Sequence, residues 1–202
     1  MIRLFCGYDK REAKGALAFT NSLIEHSPPV ALTWLTGRQF DGTNAFTYSR
    51  FDVPNMCGHE GFAIWMDGSD MLLRANIAEL WDLCDERYAV QVVKHDYKTK
   101  HSRKYVGTIM EADNADYPRK NWSSLILWNC AHPLNKTISL DRPHRFGWLP
   151  DELIGSLPEQ WNRLVGEQPV KHDDKLLHFT LGIPSFTHYA QSDGAEEWRR
   201  VA

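Results

Sequence analysis

The chain lacks the commonest signatures of nucleotide binding: it has no Gly-rich phosphate loop of either the Walker or the dinucleotide type. It also lacks any Cys-x-x-Cys pair. Cys6, Cys57, Cys84 and Cys130 are widely spaced, each beside apolar residues. Buried free thiols in a reducing cytoplasm are therefore expected rather than disulfides or zinc ligands. No apolar run approaches the length of a membrane span, and the strand-like residues 2–6 follow no secretory signal, so a cytoplasmic location is expected. A net charge of −3 gives no general pull toward nucleic acid or an anionic membrane, and neither is expected as a partner. No internal repeat and no low-complexity segment interrupts the chain. What remains is ordinary for a globular protein: 202 residues, 43% hydrophobic and 24% charged, enough for one sizeable core. A single α/β domain over residues 1–202 is expected. The eight Trp are a high count, suited to core packing or to stacking on sugar or base rings.

The strongest stretch is residues 62–73, FAIWMDGSDMLL. Residues 62–66 form an unbroken apolar run of strand length, as in a parallel sheet covered on both faces. It stops at Asp67-Gly68-Ser69-Asp70, a tight turn at the carboxyl end of the strand, where open α/β sheets place ligands. Two carboxylates so close repel unless a cation or a proton lies between them. Two readings are open: Asp67 and Asp70 bind a metal, or they only cap the turn and the next helix.

Upstream, residues 2–6 predict the first strand, and Ala13, Ala16, Leu17, Thr20, Leu23 and Ile24 form one helical stripe ended by Pro28-Pro29. Asp9 and Glu12 have capping-box spacing. Residues 30–35 predict a second strand, parallel to the first. Gly7-Tyr8-Asp9 caps the helix and, beside that, is a candidate loop for a nucleotide base with Tyr8 stacked on it. Residues 37–44 are polar and predict a loop. Arg50, between aromatic residues, pairs either with a carboxylate of the acidic turn, with a ligand phosphate, or with an ordinary surface partner. Asn76 caps a further helix, and residues 88–93 predict a strand.

Residues 94–104 are basic, which fits a solvated loop or a lid over a phosphorylated ligand. Residues 121–129, NWSSLILWN, have strand character with Asn121, Ser123, Ser124 and Asn129 able to bond sugar hydroxyls or local backbone. Residues 151–157 predict a short helix, 161–165 a short strand, 175–179 a strand with His178 near its end and Gly182 in the next turn, and 195–200 a final helix. His178 is either a satisfied core residue or a metal ligand.

In this order the motifs FCGYD, YSRFDVP, AIWMDGSDML, NWSSLILWN and LLHFTLGIP resemble the nucleotide-sugar glycosyltransferases of the GT-A fold, most like family 8 and its small bacterial or phage-type relatives. The resemblance covers roughly residues 1–188. It implies a Rossmann-like domain whose mixed, mostly parallel sheet is flanked by helices. It also implies transfer of a sugar from a UDP-sugar donor, with retention of configuration, to an acceptor glycan, lipid or protein. The uridine site falls on Gly7, Tyr8 and Asp9. Asp67, Asp70 and His178 would hold Mn2+ or Mg2+, with Asp67 and Asp70 also acting in catalysis. Asn121, Ser124 and Asn129 would line the sugar site, Asn129 orienting the transferred sugar, and Arg50 and Gly182 join the donor-binding residues. The chain departs from the family in two places. Two residues, not one, separate the paired Asp, and Ile183-Pro184 stands where a diphosphate-contacting Lys is usual. A non-catalytic nucleotide-sugar or glycan-binding protein and a nucleotidyltransferase are the alternatives, the latter usually carrying a Gly-rich basic first loop that Gly7-Tyr8-Asp9 is not.

Overall fold

The computed structural model describes residues 1–37 and 44–202, so most of the polar loop expected over 37–44 lies outside the described residues. The chain begins β1 (Arg3–Gly7), α1 (Ala13–His26), β2 (Ala31–Leu35). Ser27 closes α1 through a backbone bond to Leu23, and Pro28-Pro29 prevents its continuation. A short α2 (Val53–Met56) precedes β3 (Phe62–Met66), and the acidic turn leads into β4 (Met71–Leu73). Then come α3 (Ala78–Trp81), capped by the Asn76 side chain, β5 (Val90–Val92), and a hairpin of β6 (Arg103–Lys104) and β7 (Ala112–Asp113). The chain ends with β8 (Leu125–Asn129), β9 (Ile154–Ser156), β10 (Arg163–Leu164), β11 (Leu176–His178) and α4 (Ala195–Val201).

Six strands form the main sheet in the order β2-β1-β3-β8-β5-β9. β1 runs parallel to β2 and β3, and β5 runs parallel to β9, while β8 is antiparallel to both its neighbours. The sheet is therefore mixed, with only β8 reversed. Both faces of its central strands are apolar, which explains the unbroken hydrophobic runs. Leu4, Cys6, Ile64, Met66, Leu125 and Leu127 face α1 and α3, where Phe19, Leu23 and Leu80 cover them. Phe5, Trp65, Ile126 and Trp128 face the other way, onto Phe46, Phe51, Phe146 and Leu149 from irregular segments and short turns.

A smaller sheet, β10-β11-β4, continues from the acidic turn. In it Met71 of β4 lies opposite His178 of β11. The histidine thus reaches the turn from this second sheet, not from a strand beside β3. Residues 151–157 are not a helix: a single turn over Asp151–Leu153 gives way to β9, because Ile154 and Leu157 are drawn into the core at the sheet edge.

Candidate functional site

The acidic turn is built by close fits around small residues. Gly68 has φ 69°, and a Cβ there would lie 2.8 Å from Cys6 and 2.9 Å from the Trp34 ring. Only glycine suits both the backbone and the space. The Ser69 hydroxyl donates to the Gly7 carbonyl at 2.8 Å and accepts the Asp9 N–H at 3.4 Å, tying the turn to the end of β1. Asp67 extends the β3–β8 ladder through its N–H, which donates to the Ser124 carbonyl at 2.9 Å, and the Asp70 carbonyl accepts the Phe179 N–H at 2.8 Å. The second residue between the paired acids is therefore absorbed by Gly68 and Ser69, and Asp67, Asp70 and His178 converge. One donor atom from each lies within 4.8 Å of the others.

Asn162 fixes the histidine. It is fully buried, and its Oδ1 lies 3.0 Å from His178 Nδ1 while its amide donates to Ser124 Oγ at 2.8 Å. Ser124 Oγ donates in turn to the Asn121 carbonyl at 2.7 Å. With Nδ1–H given to Asn162, the other ring nitrogen, Nε2, presents a lone pair to Asp70 Oδ2 at 3.3 Å. Asp70 Oδ1, also buried, has no partner among the described residues. Acceptors facing one another at this range need a cation or a proton between them.

Asp67 is held differently. Arg50 pairs with it at 2.8 Å and the Trp65 indole N–H donates to it at 3.1 Å. Arg50 also donates to the Ser123 carbonyl at 2.6 Å and lies over the Trp65 ring at 5.3 Å. Burial raises the Asp67 carboxyl above its ordinary range, Arg50 pulls it back, and Asp70 pushes it up again. A cleft of about 190 Å3 opens here, lined by Arg50, Asp67, Lys104, Asn121, Ser123 and His144 among others. Burial lowers the Lys104 ammonium, and Asp70 and Asp67 partly offset that. Burial pushes the His144 imidazole down to about 3, so it stays neutral, with Nδ1 2.9 Å from Ser123 Oγ.

The other expected site residues divide between the cleft and the scaffold. Gly7, Tyr8 and Asp9 end β1 beside the turn, with Tyr8 edge-on to Trp34 at 6.1 Å. Both Asp9 oxygens are already engaged, by Arg11 and by the Ala45 N–H. Asn121 borders the cleft in a left-handed conformation, φ 62°, and its amide reaches the Tyr97 hydroxyl at 2.9 Å. Gly182 is turned away: its N–H donates to the Phe179 carbonyl at 2.9 Å and a Cβ would strike the Tyr189 ring at 2.4 Å, a packing position. Asn129 is at the wrong end. Because β8 is antiparallel, Asn129 pairs with Phe62 at the start of β3, while Leu125 pairs with Met66 beside the turn. Its amide is spent on the carbonyls of Glu86 and Tyr88. The residues that border the cleft beside this end of β8 are Ser123 and Ser124, in the turn just before the strand.

Sequence reasoning missed Asn162 and Glu12. Glu12 does not return to cap Asp9; it is fully buried, with both carboxyl oxygens unpartnered among the described residues. Burial raises its pKa well above the usual range, and Asp70 and Asp9 add to the rise. The basic stretch 94–104 keeps most of its charged side chains exposed, but it is anchored at its middle and end. Glu167, buried, accepts the Thr99 hydroxyl and, at 2.8 Å, the Lys100 N–H, and the Tyr105 N–H donates to the Leu181 carbonyl at 2.7 Å.

No protein-family model matches the chain. It is 37% identical over 224 residues to Protein CDI from Arabidopsis thaliana, spanning 98% of this chain and 84% of that protein. Among solved structures it resembles the galactosyltransferase LgtC in complex with donor and acceptor sugar analogs (TM-score 0.68, 10% identity, 99% of this chain and 95% of that one). It also resembles the glycosyltransferase GlyE of Streptococcus pneumoniae (TM-score 0.65, 13% identity, 100% of this chain). It spans only 60% of the length of GlyE. No helix of the described residues is long and apolar enough to cross a membrane. The chain belongs to the family of Arabidopsis Protein CDI, and its fold is that of the GT-A glycosyltransferases.

Proposed function

We propose that the protein is a metal-dependent glycosyltransferase that moves a sugar from a UDP-sugar to an acceptor with retention of configuration. The observation that carries this is the set Asp67, Asp70 and His178, with the lone pair of His178 aimed at Asp70 and an orphaned buried oxygen on Asp70. Two carboxylates and one imidazole suit Mn2+ or Mg2+. Bound there, such an ion supplies Lewis-acid stabilisation of the charge that develops on the departing diphosphate.

The chain's own residues do the rest. Arg50 and Lys104 bring positive charge to the wall of the cleft beside the carboxylates, suited to phosphate oxygens. Lys104 takes the part of the lysine missing at Ile183, a position fully buried in the core. Gly7, Tyr8 and Asp9 border the nucleotide end, and Arg11 and Ala45 hold Asp9 in place for it. At about 190 Å3 the cleft is below the usual ligand pocket of roughly 300–1,000 Å3, so it takes the sugar and diphosphate end of the donor. In the reaction the acceptor oxygen bonds to the anomeric carbon as the bond from that carbon to the phosphate oxygen breaks. The hydroxyl proton leaves with the diphosphate. Asp67 is the only carboxylate among the described lining residues, and Arg50 holds it, which supports retention over an inverting mechanism with a free general base. The four free thiols favour a reducing compartment such as the cytoplasm.

Calorimetry of UDP with Mn2+ and with chelator, then a screen of UDP-sugars for hydrolysis or transfer, tests this reading. Mn2+-dependent binding that His178→Ala weakens, with little change in the melting temperature of the unliganded protein, is the expected result. Equal UDP binding in chelator would remove the metal, and an inverted product anomer would remove retention.

A further inference from the structure

A second hollow shares a wall with the cleft. Residues 117–124 and 142–147 send Asn121, Ser123 and His144 to the cleft, but Arg119, Arg142 and Arg145 to this neighbour. Its volume is about 410 Å3 against about 190 Å3 for the cleft. The Arg119 guanidinium donates to the Arg145 carbonyl at 2.6 Å and pairs with Asp151 at 2.5 Å. Arg142 meets only its neighbour Asp141, at 3.3 Å, and the Arg145 guanidinium has no hydrogen-bond or ion-pair partner among the described residues. The three guanidinium groups outnumber those two carboxylates, over a floor of buried Phe146 and Leu149.

The backbone is strained at the same place. Arg119 (φ 61°), Arg142 (φ 51°) and Phe146 (φ 52°) adopt the left-handed region that side chains avoid, and Asn121 (φ 62°) does so on the cleft side. These are four of the six such non-glycine residues among those described. Strain of this kind gathers at ligand clamps, where surrounding contacts hold it. Planar guanidinium forks match the oxygens of phosphate and carboxylate.

We propose that this hollow is the acceptor subsite and that the acceptor is anionic, its phosphate or carboxylate held by Arg142 and Arg145. This rests on the glycosyl-transfer reading and names the acceptor class for it. The shared wall sets the anion beside the cleft, so that a hydroxyl on the same molecule can extend past Asn121 and His144 to the donor sugar.

Calorimetry of the full chain with glucose 6-phosphate, glucuronate and glucose tests the proposal, with and without saturating UDP and Mn2+. The charged sugars should bind and glucose should not, and the stronger of the two charged sugars identifies the anion. Arg145→Ala and Arg142→Ala should each weaken that binding at least about tenfold, and melting curves will establish that both variants are folded. Affinity for UDP with Mn2+ should stay within about twofold. Undiminished binding by the double variant, competition by UDP, equal binding of glucose, or no binding of either charged sugar would each overturn the proposal. If UDP with Mn2+ failed to bind while glucose 6-phosphate still bound through Arg145, the transfer reading would fall and the anion site would stand.

Discussion

At the level of single residues, the candidate site depends on a side chain outside the three converging donors Asp67, Asp70 and His178. Asn162 Oδ1 accepts a hydrogen bond from His178 Nδ1–H and so decides which ring nitrogen faces Asp70 with its lone pair. Loss of such an outer partner typically costs 10–100-fold in metal affinity, so Asn162→Ala should weaken Mn2+-dependent UDP binding by about that factor. The readout is the calorimetric Mn2+ titration, and an unchanged constant would show that His178 needs no such orientation. Glu12 gives a different test. In the unfolded chain its carboxyl loses a proton near 4.5, whereas burial holds the folded carboxyl protonated to higher pH. A raised acid pKa means that stability is lost as pH climbs above the unfolded value. Glu12→Gln removes that loss, so the gap in melting temperature between variant and wild type should widen in the variant's favour from pH 4.5 to 7. A gap flat in pH would mean that Glu12 is not the buried acid described here.

Among the elements, β1, β3, α1 and β11 were legible because their patterns are local: apolar runs bounded by Gly and Asp, or a stripe of helical period. The acidic turn was legible for the same reason. Asn129 was misplaced because an apolar run with Asn near both ends carries no sign of strand direction, and only pairing with β3 tells which end meets Asp67. Asn162 and the arginine hollow could not be found that way, since β10 is too short for periodicity and the arginines come from two separate segments. The basic stretch was ambiguous because its anchor, Glu167, lies far along the chain. Glu167→Ala should free it, leaving Thr99 and Lys100 unpartnered at that contact. Amide exchange over residues 98–104 should then rise well above wild type while β1 and β3 stay protected. Arg142→Gly offers a converse test: glycine suits φ 51°, so the variant should keep its melting temperature while losing the guanidinium.

At the scale of the whole molecule, two buried histidines pull against Glu12 and make acid destabilising. Burial holds both His95 and His144 down at about 3, against 6.5 when unfolded. A lowered base pKa means that the unfolded chain takes up protons first, so stability falls as pH drops from 6.5 toward 3. The double variant His95→Gln/His144→Gln should flatten that limb of the melting-temperature profile, and an unaltered limb would place the acid sensitivity elsewhere. The smaller sheet has a consequence for how the protein is made. Met71 and His178 are neighbours in it, yet most of the chain separates them in sequence. Contacts of that span are slow to close, because the entropy of ordering the intervening loop must be overcome first. On the ribosome β1, β2 and β3 emerge long before His178, so a nascent chain displays the two aspartates without the imidazole. The three-donor set proposed for a divalent ion is therefore assembled only when synthesis of this stretch is nearly finished.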